Sequence, residues 1–233
     1  MWWYRGLRSL TAEQLARALA RPEAVAGAVL DAGCGTGGML ERLGPVIADR
    51  PAFGLERNTE AARLAVVKSA RPVAAASVHQ MPLPDGRLGA YLSLDVLCHG
   101  GVEPERALAE ARRCLAPGAI AIFNLPAYAW LLSAHDRRVH NVRRFRRREV
   151  GALLARHGFR VLRSSYWNTL LFPLMLMHRL LARDSDSIGD VRDYPRWLDA
   201  LFGGVLALER WAIAAGLNLP FGGSLFVVAT RDG

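Results

Sequence analysis

Apolar and polar positions along the chain fall into two alternating patterns. Short apolar runs, bounded by glycine, proline or charge, occur at Ala26–Asp31, Ala52–Glu56, Val73–Ser77, Gly89–Leu94, Ala119–Asn124, Phe159–Tyr166 and Ser224–Thr230. Their length and punctuation predict strands. Between them, apolar residues recur at helical spacing. Thr11 is placed to cap a helix to about Ala20, Gly37–Leu43 opens a first crossover helix, and Thr59 caps a helix to Ser69. Pro104 suits the first turn of a helix to Leu115 that Pro117-Gly118 ends, and Gly158 closes a helix over Arg147–His157. Strand and helix alternate, which predicts a doubly wound α/β sheet with right-handed crossovers.

Two segments break the alternation, residues 125–146 and 168–222. Both follow strands of the second half of the sheet. Loops at the carboxyl ends of such strands line the ligand crevice, so both are predicted to be substrate-side insertions in a single domain of residues 1–233. The second begins with the run Leu170-Leu171-Phe172-Pro173-Leu174-Met175-Leu176-Met177. Pro173 can start a helix of about ten residues there, too short to span a bilayer. Three fates stay open for this run: core or a dimer interface, a pocket for a hydrophobic acceptor, or contact with a membrane surface. Asp184–Asp193 reads as a polar, mobile loop, and Trp197–Leu217 as a long helix with a broad apolar face.

The densest chemical signal is Val29-Leu30-Asp31-Ala32-Gly33-Cys34-Gly35-Thr36-Gly37-Gly38. A buried strand ends at an acid and turns on glycines, which lets backbone approach a nucleotide-like ligand closely. The spacing Gly33-x-Gly35-x-x-Gly38 also satisfies the dinucleotide fingerprint, and Glu56 lies at a suitable distance for either ligand. Asp31 discriminates between them. A carboxylate there repels a pyrophosphate and suits the ammonium and sulfonium of S-adenosylmethionine (SAM).

This stretch resembles the first motif of the class I SAM-dependent methyltransferases, and the resemblance continues in order along the chain. Phe53-Gly54-Leu55-Glu56-Arg57 is similar to the end of that family's second strand, where the acid accepts from both ribose hydroxyls. Residues 77–86 resemble the third motif, with Ser77 standing where the family usually has an acid. That departure passes adenine recognition to the Ser77 hydroxyl and the backbone around Val78, with His79 or Gln80 nearby. Ser93-Leu94-Asp95-Val96-Leu97-Cys98-His99 resembles the end of the fourth strand, beneath the methionine arm and beside the acceptor. The resemblance implies a Rossmann-like seven-stranded sheet, mostly parallel with an antiparallel last strand. It implies SAM as cofactor and S-adenosylhomocysteine (SAH) as product. The cofactor residues are then Asp31, Gly33, Cys34, Gly35, Gly37, Glu56, Arg57, Ser77, Val78 and Asp95. Trp2-Trp3-Tyr4-Arg5 and Arg8 look like the N-terminal segment, here residues 1–22, that folds as a lid in many bacterial small-molecule methyltransferases.

On the acceptor side, Tyr4, Tyr128, Trp130, His140 and Arg144 are the expected substrate contacts. His135, Asp136 and His99 are the expected catalytic groups, as a general base for an acceptor hydroxyl or amine. His135, Asp136 and His140 also offer metal-ligand types close together, but no further ligand set is visible, so no metal is expected. Methyl transfer itself demands only alignment and exclusion of water, so no catalytic residue is obligatory.

Composition narrows the partners. The chain has 233 residues, 52% of them hydrophobic, which supports one domain with a full core. No stretch is apolar for the roughly 20 residues a membrane span needs, and the N-terminus does not read as a secretory signal. Three cysteines without a CxxC pair read as free thiols in a reducing, cytoplasmic compartment. The net charge of +9 raises nucleic acid or an anionic membrane as partners, yet Lys68 is the sole lysine. That skew reads as codon bias as much as a phosphate-binding surface, and no RNA-binding motif is present. The function expected is methyl transfer to a small, hydrophobic acceptor by in-line displacement, with no nucleic acid as partner. An RNA methyltransferase, a SAM-binding protein that does not methylate and a nicotinamide-dependent reductase are the alternatives. The sequence leaves the oligomeric state open.

Overall fold

A computed structural model describes residues 1–181 and 195–233, without the side chains at 134–135 and 178–181. The acidic stretch Asp184–Asp193 lies outside the described residues. Seven strands form one sheet: β1 (Ala28–Ala32), β2 (Ala52–Glu56), β3 (Val73–Ala75), β4 (Leu88–Leu94), β5 (Leu115–Pro126), β6 (Phe159–Trp167) and β7 (Ser224–Arg231). Their order is β3-β2-β1-β4-β5-β7-β6. All neighbouring pairs are parallel except those of β7, which runs antiparallel to both β5 and β6. The order reverses beside β1, between β2 and β4, so the carboxyl ends of these strands open the crevice where such sheets bind ligands.

Alternation along each strand divides the core in two. Leu30, Tyr91, Phe123, Leu225 and Val227 face one side, where α3 (Pro104–Cys114) and α5 (Arg147–Arg156) contribute Leu108, Ala111, Val150 and Leu154. Val29, Ala90, Leu92, Ile122, Phe226 and Val228 face the other, under α1 (Trp2–Leu19), a short 3₁₀ turn at Leu40–Leu43 and Ala65 of α2 (Thr59–Ser69). The strands therefore carry apolar residues on both faces, as a covered parallel sheet requires.

Several boundaries differ from expectation for local reasons. The first helix begins at Trp2, and Thr11 is fully buried within it rather than capping it. Gly6 lets a further layer approach: a Cβ there would stand 2.6 Å from Cδ1 of Leu206. Leu10 and Leu15 are fully buried, so α1 is a core layer and only its first turns reach the crevice. The crossover predicted at Gly37–Leu43 is helical only over Leu40–Leu43, because adjacent glycines are poor helix formers. Asn58, not Thr59, caps α2, its Oδ1 accepting from the N–H groups of Glu60 and Ala61 at 3.0 and 2.9 Å. Pro117-Gly118 sits inside β5: Leu88 pairs with Leu115 and Ala90 with Ile120, so residues 116–119 loop out as a bulge.

The two insertions supply α4 (Ala134–Arg138), α6 (Phe172–Leu181) and α7 (Arg196–Ala214). α7 lies over α1, joined by Leu206 and Ile213 in the shared core and by an Arg5–Asp199 ion pair at 2.6 Å. No helix among the described residues is long and apolar enough to cross a membrane.

Candidate active site

The turn after β1 is built for backbone proximity. Gly33 has φ +74°, and a Cβ there would meet Cγ2 of Val96 at 2.5 Å; Gly37 has φ +80° and lies against the α2 backbone at Ala65. Only glycine suits either position. Asp31 is 1% exposed, and its Oδ2 has no hydrogen-bond partner among the described residues. Burial, then the nearby Glu56, push its carboxyl up to about 7, while Arg8 pulls the other way. A buried acceptor left unpaired costs free energy that a ligand's cationic donor can recover.

Glu56 closes β2 and faces the same turn. Its Oε2 accepts from the Gly35 N–H and its Oε1 from the Asn58 N–H, both at 2.9 Å. The two carboxylates predicted to hold cofactor therefore converge on one turn. Arg8 reaches this place from α1, since a Cβ on Gly38 would overlap its guanidinium. A cavity of about 320 Å³ there is lined by Arg5, Arg8, Gly38, Glu41 and Arg42. Cys34 turns away: its Sγ packs against Gly54, and burial pushes the thiol up to about 12, which makes it inert. Its Sγ donates weakly to Gly35 O at 3.8 Å, and its backbone N–H is spent on Leu55 O.

Ser77 follows β3 beside Glu56, because the Ala76 N–H donates to Glu56 O at 3.2 Å. Its Oγ accepts from the His79 N–H at 3.2 Å, forming a small turn, and Val78 is buried in the core beneath. His79 is occupied structurally, its Nε2 accepting from the Glu103 N–H at 2.9 Å. Arg57 is exposed and extends toward Gly101, where an added Cβ would stand 3.2 Å from its Nη1.

Asp95 immediately follows β4 with φ +58°, a strained value for an aspartate. Its N–H donates to Asn124 O and its Oδ1 accepts from Asn124 Nδ2, both at 2.9 Å. Asn124 Oδ1 in turn accepts from Trp167 Nε1 at 2.7 Å, and Trp167 stacks on Trp3 at 5.7 Å. Burial pushes the Asp95 carboxyl up to about 7, opposed by Asn124 and Arg144. Sequence reasoning missed this relay. The signal was present in Asn124, a polar residue ending an otherwise apolar strand. His99 lies half-buried one turn further on. Burial and the neighbouring His140 hold its imidazole below the usual histidine range, against the opposing pull of Glu56, so it is neutral at pH 7.

Other predicted residues have structural duties. Asp136 and Arg144 form a buried pair, with Arg144 Nη2 at 2.8 and 2.9 Å from the two carboxylate oxygens. Asp136 Oδ2 also accepts from Ser133 N and Oγ, and Arg144 Nη1 donates to Ala127 O at 3.0 Å. Burial pushes the Asp136 carboxyl up, and Arg144 with Ser133 more than reverse this, holding it below the usual carboxylate range. A carboxylate so occupied is a weak base, and its arginine is not free for substrate. The pair fastens the loop after β5. His135 lies in α4, with its side chain outside the described residues. His140 has an exposed side chain, φ +58° and a carbonyl that accepts from the Gly100 N–H. Among the described residues, no group of three or more His, Cys, Asp or Glu is placed to hold a metal.

An aromatic wall stands beside the carboxyl ends of β5 and β6. Tyr128 stacks on Tyr166 at 5.2 Å and meets Trp130 at 5.8 Å; Phe172 contacts Tyr128, Trp130 and Phe221. Trp130 and Phe221 are exposed at its rim. Tyr4 sits on the first turns of α1 with the Arg8 guanidinium 6.0 Å from its ring.

Comparison with known proteins places the fold. Residues 30–123 match a family model described as a methyltransferase domain. A proposed sarcosine dimethylglycine methyltransferase from Galdieria sulphuraria superposes with TM-score 0.63 at 14% identity, over 95% of this chain and 85% of that one. The [4+2]-cyclase SpnF gives 0.58 at 20% identity, covering 94% and 81%. Geranyl diphosphate C-methyltransferase from Streptomyces coelicolor A3(2) gives 0.59 at 16%, covering 96% and 76%. No curated protein matches the chain. The structural likenesses establish the fold. The family match spans residues 30–123, which include the glycine turn, Glu56, Asp95 and His99, and this part of the chain carries a methyltransferase domain.

Proposed function

We propose that the chain methylates a small, hydrophobic acceptor bound over the carboxyl ends of β4 and β5. Bound SAM supplies an electrophilic methyl group on a sulfonium leaving group. Asp31 would hold its ammonium, Arg8 its carboxylate, Glu56 its ribose diol, and the Ser77–Val78 turn its adenine. The orphaned Oδ2 of Asp31 supports this fit, because it lacks the donor that an ammonium brings.

The observation that carries the acceptor class is the wall of Tyr128, Trp130, Phe172 and Phe221, in which rings at the rim are exposed while Phe172 behind them is buried. Stacked and edge-on rings of this kind take apolar or aromatic molecules and exclude water from the reacting atoms. The likeness to a geranyl diphosphate C-methyltransferase is in keeping with an apolar acceptor. His99 is half-buried, is held below the usual histidine range by its burial and bonds the Asp95 backbone, so it is the group we assign to accept a proton from an acceptor hydroxyl or amine. Asp95 would position His99 and the methionine arm. Asp136 has no part in the chemistry on this reading.

Transfer of labelled methyl from SAM tests the proposal. Label should enter an organic-extractable product from a panel of apolar hydroxyl and amine acceptors, and leave RNA unlabelled. Label that appears only in RNA, or SAH binding without transfer to any member of a broad panel, would overturn it.

A further inference from the structure

α7 carries apolar side chains on both of its sides. On the side toward α1, Asp199 pairs with Arg5 at 2.6 Å and Arg210 with Glu13 at 3.2 Å beside the buried Leu206 and Ile213, while the buried Glu209 accepts from the Leu170 N–H at 2.7 Å. The opposite side carries Trp197, Leu201, Gly204, Leu208, Trp211 and Ala215, all exposed, and no charge falls among them. Trp197, Leu201, Leu208 and Trp211 are 69%, 55%, 64% and 73% exposed. An outer helix ordinarily turns its polar face to water, so this stripe asks for a cover.

The stripe steps by four and three residues, the spacing of a helix–helix seam. It is also symmetric about Gly204: Trp197 and Trp211 lie seven residues to either side, and Leu201 and Leu208 lie three and four residues away. We infer that this face pairs with the same face of a second copy of the chain, antiparallel, about a two-fold axis beside Gly204. Each Trp197 then meets Trp211 of the other copy, roughly 10 Å from the axis at 1.5 Å per residue. Each Leu201 comes within one residue of level with Leu208 of the other copy, and the glycines allow close approach at the centre. A two-fold interface must be self-complementary in this way.

The area suffices. At about 250 Å² for a full side chain, the two tryptophans expose roughly 350 Å² per copy, and with the leucines the pair of faces removes upward of about 1,000 Å², the threshold a specific interface must clear. An anionic membrane fits this face less well. A membrane-surface helix carries a row of free basic residues beside its apolar face, whereas Arg5, Arg210 and Arg17 are spent on Asp199, Glu13 and the Ala214 carbonyl, which leaves the exposed Arg196 at the start of α7.

Sedimentation equilibrium of the full chain tests the inference. The native chain should be a dimer at micromolar concentration, and Leu201→Glu with Leu208→Glu should raise the dissociation constant at least tenfold with unchanged circular dichroism and SAH binding. Gly204→Cys should cross-link two copies under mild oxidation, while the native chain, whose three cysteines are buried, should not. A native chain that stays monomeric at 100-fold higher concentration, with no cross-link through residue 204, would overturn the inference. So would a monomer that co-sediments with anionic vesicles and loses that binding on Leu201→Glu.

Discussion

Cofactor binding should release a proton, and Asp31 should be its source. The carboxyl is buried with its pKa near 7, against 3.8 for a free aspartate, so near neutrality about half the molecules carry it protonated. A cationic amino group beside it favours the ionised form. Apparent affinity therefore scales with the ionised fraction, and SAH should bind about tenfold more weakly at pH 6 than at pH 8. Calorimetry at the two pH values measures this directly. Repeating it at pH 7 in buffers of different ionisation enthalpy counts the proton released. The substitution Asp31→Asn isolates the group: its residual affinity should lose the tenfold pH dependence. Asp95 titrates in the same range, so a pH dependence that survives Asp31→Asn would assign the effect to Asp95 and refute the argument. A flat affinity in the native chain would refute it too.

The same shift has a stability consequence with a fixed sign. An acid whose folded pKa lies above its unfolded value binds its proton better when folded. Its contribution to stability is complete below about pH 4 and is lost as pH rises through about 7. Asp31→Asn should therefore melt higher than the native chain at pH 8, and the gap should narrow toward pH 4. The protein gives up stability at this position so that a ligand can recover it.

Arg144→Met should cost about 3–5 kcal/mol in urea denaturation, because it leaves Asp136 charged and buried, and adding Asp136→Leu should recover part of the loss. Gly33→Ala should lower stability by about 1–3 kcal/mol through its positive φ and the clash with Val96, and should abolish SAH binding in a thermal-shift assay. His99→Ala should lower kcat by about 10²–10⁴-fold with SAH affinity unchanged; equal loss of both would place His99 in the cofactor site instead.

The sheet was legible because its strands are short, apolar and punctuated, and a covered parallel sheet admits few other readings. The meeting of Asp31 and Glu56 was legible because each lies at or next to the end of its strand, and parallel pairing of β1 with β2 brings those ends together at the turn. Residues whose duty depends on a distant partner were not. The pairing of Asp136 with Arg144, eight residues on, was not legible: Nη2 of the arginine stands 2.8 and 2.9 Å from the two carboxylate oxygens only because the loop after β5 folds back on itself. Asp95 gained its significance from Asn124 and Trp167, 29 and 43 positions apart in succession along the relay. α7 shows the limit most plainly. Periodicity reports that a helix has an apolar side, and a rule about water then turns that side inward. In this chain Asp199 and Arg210 are drawn to Arg5 and Glu13 of α1, and these ion pairs, with Leu206 in the gap that Gly6 leaves, fix the rotation. Sequence could name the two faces of the helix, but the choice between them belonged to α1, nearly two hundred residues away.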